Sequence, residues 1–392
     1  MRAPLRSLRS VTVFVVLTAG ACTSGESPPA GKGGSGGGAG QSTPAGTGGN
    51  PMGSGGDTSL GGNLGAGGDV ATGGEGGAPA TGGAGGAPLG GTTGSGGAST
   101  TGVQLDPGTD GDGTFMESPP YDAAPEELGP INGAPKGTLI GPMIHTQTGT
   151  YTGWSTWKFT FWIYVPSQYK PGHPAALMVF QDGSLYTGLP DARTTFNVPQ
   201  VFDNLIAEGA MPVTIAVLIQ PGSNDGHLVG GGDGGRSRQY DTPNDQYGKF
   251  LLQEFLPAEV LGKYDIVTDA DGWALGGHSS GGIASIMASW YYPDNFHKAL
   301  TASPSFPNTG GKFPAEFLKV MPAKPLRIYH LAGTHDLGGF YDANNQAAKD
   351  FMMLGYHYRY RPGQDNHFPP LAASADFPDA LRWLWRGYSA GQ

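Results

Sequence analysis

A chain of 392 residues with a net charge of −10 has room for one or two domains. Its single cysteine excludes an internal disulfide and any Cys-x-x-Cys metal site. The mild negative charge is spread along the chain without a basic patch, so no nucleic-acid partner is expected.

The first 21 residues have the pattern of a signal peptide. Three arginines precede an apolar run at 11–17 that is too short to span a bilayer as a mature helix. The next residues, Ala-Gly-Ala-Cys at 19–22, resemble the lipobox of bacterial lipoproteins, although leucine is more usual at the first position. The resemblance implies acylation of Cys22 and export in a double-membrane bacterium. The residue after the cysteine, Thr23, is not an aspartate, which resembles the pattern of lipoproteins sent to the outer membrane or cell surface. Plain secretion is the alternative.

The segment 22–112 is predicted to be a disordered tether. About 31 of the 70 residues in 31–100 are glycine, and most of the others are small. Such a composition cannot bury enough apolar surface to offset the entropy lost on ordering. A Gly-rich coil of this length has a root-mean-square reach of roughly 50 Å, which suits a domain held away from a membrane.

The remaining residues, 113–392, are predicted to form one α/β domain. Two strand-like runs at its start indicate an antiparallel pair, and strands then alternate with helices. Most later strands are continuously apolar, which favours a mostly parallel sheet with helices on both faces. The predicted strands are 138–147, 157–165, 175–181, 211–219, 273–275, 298–303, 326–332 and 357–360, and the predicted helices are 198–208, 245–264, 283–290, 344–354 and 375–386.

A G-x-S-x-G motif lies between a predicted strand and a predicted helix. Gly277 and Gly281 flank Ser279 at the spacing of a nucleophile elbow, the sharp turn that exposes a serine hydroxyl. The backbone N–H of Ser280, at the start of the helix, would face a developing oxyanion. The alternative is an ordinary Gly-rich turn, since glycine is frequent in this chain.

A nucleophilic serine needs a base, and the base needs an acid that orients it. His367 lies in a polar loop after the last predicted strand and is the candidate base, whereas His330 and His357 lie within strands. Asp336 follows the strand 326–332 and is the candidate acid. Asp342 competes, but its position suits the N-cap of the next helix better.

The loop after the strand 175–181 is the expected source of a second oxyanion donor. Backbone N–H groups of Gly183 or Ser184 are the candidates, whereas Asp182 is expected to be structural.

Three more residues are candidates for substrate binding. Arg236 and Arg238 could clamp a substrate carboxylate, or they could pair with Asp233 or Asp241. Tyr186, in a predicted loop, could line the cleft or pack into the core.

Six motifs occur in order along the chain: FQDG at 180–183, VFDNLI at 201–206, MPV at 211–213, RQYD at 238–241, GHSSGG at 277–282 and DALRWLW at 379–385. Together they resemble the enterochelin-esterase-like group of serine esterases, in the esterase D superfamily of α/β-hydrolases. The resemblance covers nearly all of 138–386 and implies a catalytic triad of Ser279, Asp336 and His367. It leaves the substrate open, because members cleave siderophore, feruloyl, acetyl and other esters. The sequence Asp-Asn-His at 365–367 departs from the Gly-Gly-His pattern of the group.

These observations predict a serine esterase that needs no metal and no organic cofactor. The segment 304–320 reads as a loop rather than a helical lid, which favours short or aromatic acyl esters of a polar, carbohydrate-like or siderophore-like alcohol. The expected partner is therefore a small-molecule or polysaccharide-linked ester. The alternatives are an acyltransferase of the same superfamily and a binding module that has lost catalysis.

The lipobox predicts that Cys22→Ser releases the protein from the membrane. Two or three acyl chains anchor firmly, because each buried CH₂ contributes about 0.8 kcal/mol. Fractionation should find the wild type in the membrane and the variant in the soluble fraction. A wild type that is wholly soluble in the periplasm or the medium would contradict the anchor.

Overall fold

The computed structural model describes residues 103–104, 109, 111–190, 196–226, 235–368 and 370–390. The predicted signal peptide, Cys22 and most of the predicted tether lie outside these residues. Regular structure begins earlier than expected, since a short strand at 103–104 pairs with residues 388–389 near the C-terminus.

The strands form one large sheet and one two-stranded ribbon among the described residues. Their bounds are β1 Val103–Gln104, β2 Gly113–Thr114, β3 Thr138–Thr146, β4 Lys158–Val165, β5 Ala176–Gln181, β6 Thr214–Ile219, β7 Trp273–His278, β8 Lys298–Ala302, β9 Arg327–Gly333, β10 His357–Gly363 and β11 Tyr388–Ser389. The large sheet has the order β2-β10-β9-β8-β7-β5-β6-β4-β3.

The pairing confirms the expected α/β-hydrolase class. Strands β3 and β4 are antiparallel to each other, and β4 is antiparallel to β6. The other pairs in the large sheet are parallel. Every residue of β5 through β9 is buried, so helices must cover both faces of the central sheet.

The helices match the expected pattern with a few differences. The α-helices are α1 Pro125–Leu128, α2 Val198–Glu208, α3 Gly235–Tyr240, α4 Gln246–Phe250, α5 Ser280–Tyr291, α6 Ala315–Leu318, α7 Phe340–Met353, α8 Leu371–Ala375 and α9 Phe377–Trp385. Two π-helical segments, Leu251–Phe255 and Pro257–Leu261, continue α4 where one regular helix was expected. Pro257 cannot donate a backbone hydrogen bond, which interrupts the regular pattern there. Because α7 begins at Phe340, Asp342 lies in its first turn and is not the N-cap.

Aromatic side chains join the antiparallel edge of the sheet to α4 and to the π-helical segment that follows it. Phe159 of β4 stacks on Phe250 with ring centroids 4.3 Å apart, and Phe161 meets Phe255 edge to face at 5.1 Å. All four rings are buried. The sheet therefore has a packed core at this edge as well as at its centre.

The turn between β7 and α5 is closed by direct contact of main chains. A Cβ added to Gly277 would lie 2.3 Å from the carbonyl oxygen of Gly281, and one added to Gly281 would lie 2.8 Å from Asp182 Oδ2. Ser279, at the centre, has φ 60° and ψ −127°. This conformation is unusual for a residue with a side chain and matches the strained turn of an elbow.

Gly277→Ala should lower the free energy of unfolding by about 1–3 kcal/mol, because the new methyl group meets backbone that cannot move aside. Gly262→Ala is the matched control, since its Cβ would have only one neighbour, at 3.8 Å, and its effect should stay within about 0.5 kcal/mol. Urea unfolding of both variants measures the difference. Equal stability of the two would show that the turn is not tightly constrained.

Candidate active site

Ser279 lies where the carboxyl end of β7 meets the amino end of α5. Its backbone N–H donates to the carbonyl of Ala302, the last residue of the neighbouring strand β8, at 2.9 Å. Its Oγ is 2.8 Å from Nε2 of His367. The turn therefore presents the hydroxyl to a histidine that comes from another strand end.

His367 lies between Ser279 and a carboxylate. Its Nδ1 is 2.6 Å from Oδ1 of Asp336, whose side chain has no exposed surface, whereas the histidine side chain is 17% exposed. Burial alone would raise the pKa of Asp336. The hydrogen bonds from His367 and from the backbone N–H of Leu337 outweigh burial and hold that pKa below its ordinary value. An ionised Asp336 then accepts a hydrogen bond from Nδ1–H and leaves Nε2 facing the serine.

Two further rings hold His367 in place, and neither was expected from the sequence. Phe340, the first residue of α7, meets the imidazole edge to face with centroids 5.2 Å apart. Nε2 of His278 donates to the carbonyl oxygen of His367 at 2.8 Å. Burial, and then the proximity of His367, lower the pKa of His278 to about 4, so it is neutral at pH 7.

The loop before His367 explains why the chain can depart from Gly-Gly-His. The carboxylate of Asp365 accepts a hydrogen bond from the backbone N–H of Ala372 at 2.7 Å, and Asp365 as a whole is only 5% exposed. Its carbonyl accepts the backbone N–H of His335 at 2.9 Å, which ties the loop after β10 to the loop after β9. Asp365 therefore has a structural role that glycine could not fill.

The three candidate oxyanion donors lie on two adjacent turns. Ser280 is the first residue of α5, so its N–H has no acceptor within the helix. Gly183 and Ser184 begin the 3₁₀ turn Gly183–Tyr186, directly after β5. Gly183 lies against the backbone of β6, where an added Cβ would be 2.4 Å from the carbonyl carbon of Leu218. Close packing of main chains thus fixes this turn against β6, and Asp182 at its start lies next to Gly281 of the elbow.

Arg236 pairs with a carboxylate that was not expected from the sequence. Its Nε and Nη2 donate to the two oxygens of Asp182 at 2.8 and 2.7 Å. The expected pairing with Asp241 is therefore wrong for Arg236, and Asp233 lies outside the described residues. Because the guanidinium forms a bidentate ion pair with Asp182 in the turn after β5, it is not available to bind a substrate carboxylate in the same way. Arg238 is exposed on α3, and its role in substrate binding stays a prediction.

Of the two possibilities for Tyr186, the structure shows packing into the core and rules out a role in lining a cleft. Its side chain has no exposed surface, and its ring stacks on Phe196 at 4.9 Å and packs against Phe180 at 4.6 Å. The 3₁₀ turn that begins at Gly183 directs this ring into the core. A tyrosine enclosed in this way cannot contact a substrate.

A second serine, Ser305, touches the first. Its Oγ is 2.9 Å from Oγ of Ser279, its backbone N–H donates to the carbonyl of Ser279 at 3.2 Å, and it is 1% exposed. The sequence contained a usable signal, because Ser305 follows β8, which lies between the strands that precede Ser279 and Asp336.

Among the residues that the structure describes, no three His, Cys, Asp or Glu side chains are grouped closely enough to hold a metal ion. No helix of this part of the chain combines the length and the apolar character needed to cross a membrane.

The fold is similar to that of known esterases. An enterobactin esterase of Shigella flexneri, solved in the presence of 2,3-dihydroxy-N-benzoyl-glycine, is 19% identical with a TM-score of 0.51, and the match covers 68% of this chain and 63% of that one. The ferric enterobactin esterase of Salmonella typhimurium is 18% identical with a TM-score of 0.50, over 68% of this chain and 62% of that one. A mutant feruloyl esterase module of Clostridium thermocellum, complexed with sinapinate, is 15% identical with a TM-score of 0.46, over 69% of this chain and 95% of that one. The chain thus spans less than two thirds of either enterobactin esterase.

A search of curated proteins finds no match to the sequence. A family model described as "Putative esterase" matches residues 154–380, which is more than half of the chain and includes Ser279, Asp336 and His367. The chain therefore belongs to this esterase family.

Proposed function

We propose that the chain hydrolyses carboxylic esters with Ser279 as nucleophile, His367 as base and Asp336 as the orienting acid. The observation that carries the proposal is the unbroken hydrogen-bond chain from Asp336 Oδ1 through both nitrogens of His367 to Ser279 Oγ, with distances of 2.6 and 2.8 Å. This is the geometry that lets a neutral imidazole remove a serine proton.

The reaction follows from the proton positions. Ser279 Oγ attacks the ester carbon and passes its proton to Nε2 of His367, and the imidazolium is stabilised by Asp336. The carbonyl oxygen becomes an oxyanion beside the backbone N–H groups of Ser280 and of Gly183 or Ser184. His367 then protonates the leaving alcohol, which leaves an acyl group on Ser279, and a water activated by the same histidine releases the acid.

The segment 304–320 supports a substrate other than a long-chain lipid. It contains the 3₁₀ turn Phe306–Thr309 and the four-residue helix α6, and neither is long enough for a helical lid. Three of its apolar side chains, Phe306, Phe313 and Leu318, are buried in the body of the protein, and Val320 at its end is the exposed exception. A lipase lid would instead present a broad apolar face that is exposed when open.

Apolar side chains next to the site favour an aromatic or short acyl group. Leu337, beside Asp336, is 54% exposed, and Phe368, beside His367, is 50% exposed. Phe340, whose ring meets the imidazole of His367, is a third apolar side chain near the triad, and such side chains suit an aryl ring or a short chain. The compound present with the Shigella esterase also carries a dihydroxybenzoyl group. A carbohydrate-like or siderophore-like alcohol remains part of the proposal.

The proposed location is the outer membrane or cell surface, through lipid at Cys22. The domain would then act at the end of the Gly-rich tether. A reach of roughly 50 Å suits polymeric or diffusing substrates near the surface.

Ser279→Ala should leave a folded protein with kcat/KM lowered on the order of 10⁴-fold or more, because the members of a triad act as a unit. A fluorophosphonate probe should label the wild type and fail to label the variant. Ser280→Ala should keep the labelling, because only its backbone N–H is assigned a role in the reaction. A wild type that resists the probe would point to a binding module without catalysis.

Acetyl and feruloyl esters should be better substrates than palmitoyl esters, because the apolar side chains described beside Asp336 and His367 suit a small acyl group and the segment 304–320 forms no helical lid. Comparing kcat/KM across the three measures this preference. Product analysis with an added alcohol separates hydrolysis from acyl transfer, and we expect the free acid. A preference for palmitoyl with activation at a lipid interface would overturn the substrate proposal and leave ester hydrolysis intact.

A further inference from the structure

Ser279 Oγ has two polar neighbours but only one proton. Nε2 of His367 lies at 2.8 Å and Oγ of Ser305 at 2.9 Å. Because the Nδ1 proton of His367 faces ionised Asp336, Nε2 of the neutral ring is an acceptor. The Ser279 proton is therefore directed to His367. The contact between the two serines then requires Ser305 to be the donor.

We propose that Ser305 is a further catalytic residue, which donates a hydrogen bond to Ser279 Oγ and stabilises negative charge on that atom. The inference rests on the proposed function. During attack, Ser279 loses its proton to His367 as the bond to the acyl carbon forms, and electron density on Oγ is highest before that bond is complete. A donor already in place favours the charged form of its acceptor and needs no reorganisation.

The same contact acts again when the acyl group leaves. Water attacks the acyl carbon and gives a proton to His367 Nε2. As the tetrahedral intermediate collapses, the bond between the acyl carbon and Ser279 Oγ breaks, and Oγ keeps the electron pair and takes that proton back. Ser305 donates to Oγ while the charge develops, so both halves of the reaction gain from it.

The position of Ser305 does not depend on its own hydroxyl. The loop after β8 is held by Asn344 Nδ2, which donates to the carbonyl of Pro304 at 3.1 Å, and by Asn308 Nδ2, which donates to Asp241 at 3.2 Å. Phe306 is buried directly after Ser305. Removal of the hydroxyl should therefore leave the loop folded and change mainly the donor.

Three substitutions of Ser305 separate donation from space filling. Ser305→Ala removes the donor, Ser305→Cys keeps the approximate shape with a weak donor, and Ser305→Thr keeps the hydroxyl. Ser289→Ala is the matched control, because Ser289 is also fully buried and its Oγ has no partner among the described residues. The measurements are kcat and KM for p-nitrophenyl acetate per fluorophosphonate-titrated site, the rate of fluorophosphonate inactivation, the pH profile of kcat/KM, and Tm.

Alanine and cysteine should each lower kcat and the inactivation rate by about 10- to 100-fold, as expected for a hydrogen bond to a charged group. KM and the midpoint of the pH profile should not change, because Asp336 and His367 are untouched. Threonine and the Ser289 variant should stay within a few-fold of wild type. If threonine does not fit the buried position, the comparison of alanine with cysteine still decides.

Full activity of the cysteine variant would overturn the inference, since it would show that only volume matters. An alanine effect below about threefold, or a shifted pH midpoint, would also overturn it. If the wild type does not react with the fluorophosphonate, the proposed function fails and the inference with it. If the wild type reacts and the alanine variant reacts at the same rate, the inference alone fails.

Discussion

The arrangement of the site depends on the contact between the main chains of Gly277 and Gly281. With only 2.3 Å available for a Cβ at Gly277, the strand β7 and the helix α5 meet at a separation that only glycine allows. The residue between them is forced to a positive φ, and the side chain of Ser279 projects from the turn instead of packing under it. Gly281 also brings the elbow against Asp182, so the turn after β5 and its N–H groups have a fixed neighbour.

The remaining loops at this edge of the sheet are linked to one another by main-chain and side-chain hydrogen bonds. Ser279 donates to the end of β8, His335 after β9 donates to Asp365 after β10, and His278 at the end of β7 donates to His367. Each loop therefore takes its position from a neighbouring strand end. A site built this way takes its geometry from the sheet, which suits a reaction that requires preorganised donors. Ser305 belongs to this set, because its loop is tied to Ser279 by backbone as well as by side chain.

The order of strands along the chain explains which features could be predicted. Ser279, Asp336 and His367 each follow a strand, and parallel strands bring their carboxyl ends to one edge, so their proximity follows from sequence. The direction of Tyr186 depended on a 3₁₀ turn whose orientation is set by contact with β6, which no local pattern encodes. The partner of Arg236 was likewise a matter of tertiary distance, since Asp182 is 54 residues away along the chain.

The electrostatics of the site depend on keeping one imidazole neutral beside another. The rings of His278 and His367 are 4.9 Å apart, and His367 must carry a positive charge during the proposed reaction. A charged His278 would oppose that protonation, but burial lowers its pKa to about 4 and it acts only as a donor. Arg236, a described cation that also acts on His278, is paired with Asp182. Asp336 lies directly against His367, so in the proposed reaction the positive charge that His367 gains from Ser279 would be stabilised by a carboxylate and not opposed by a charged His278.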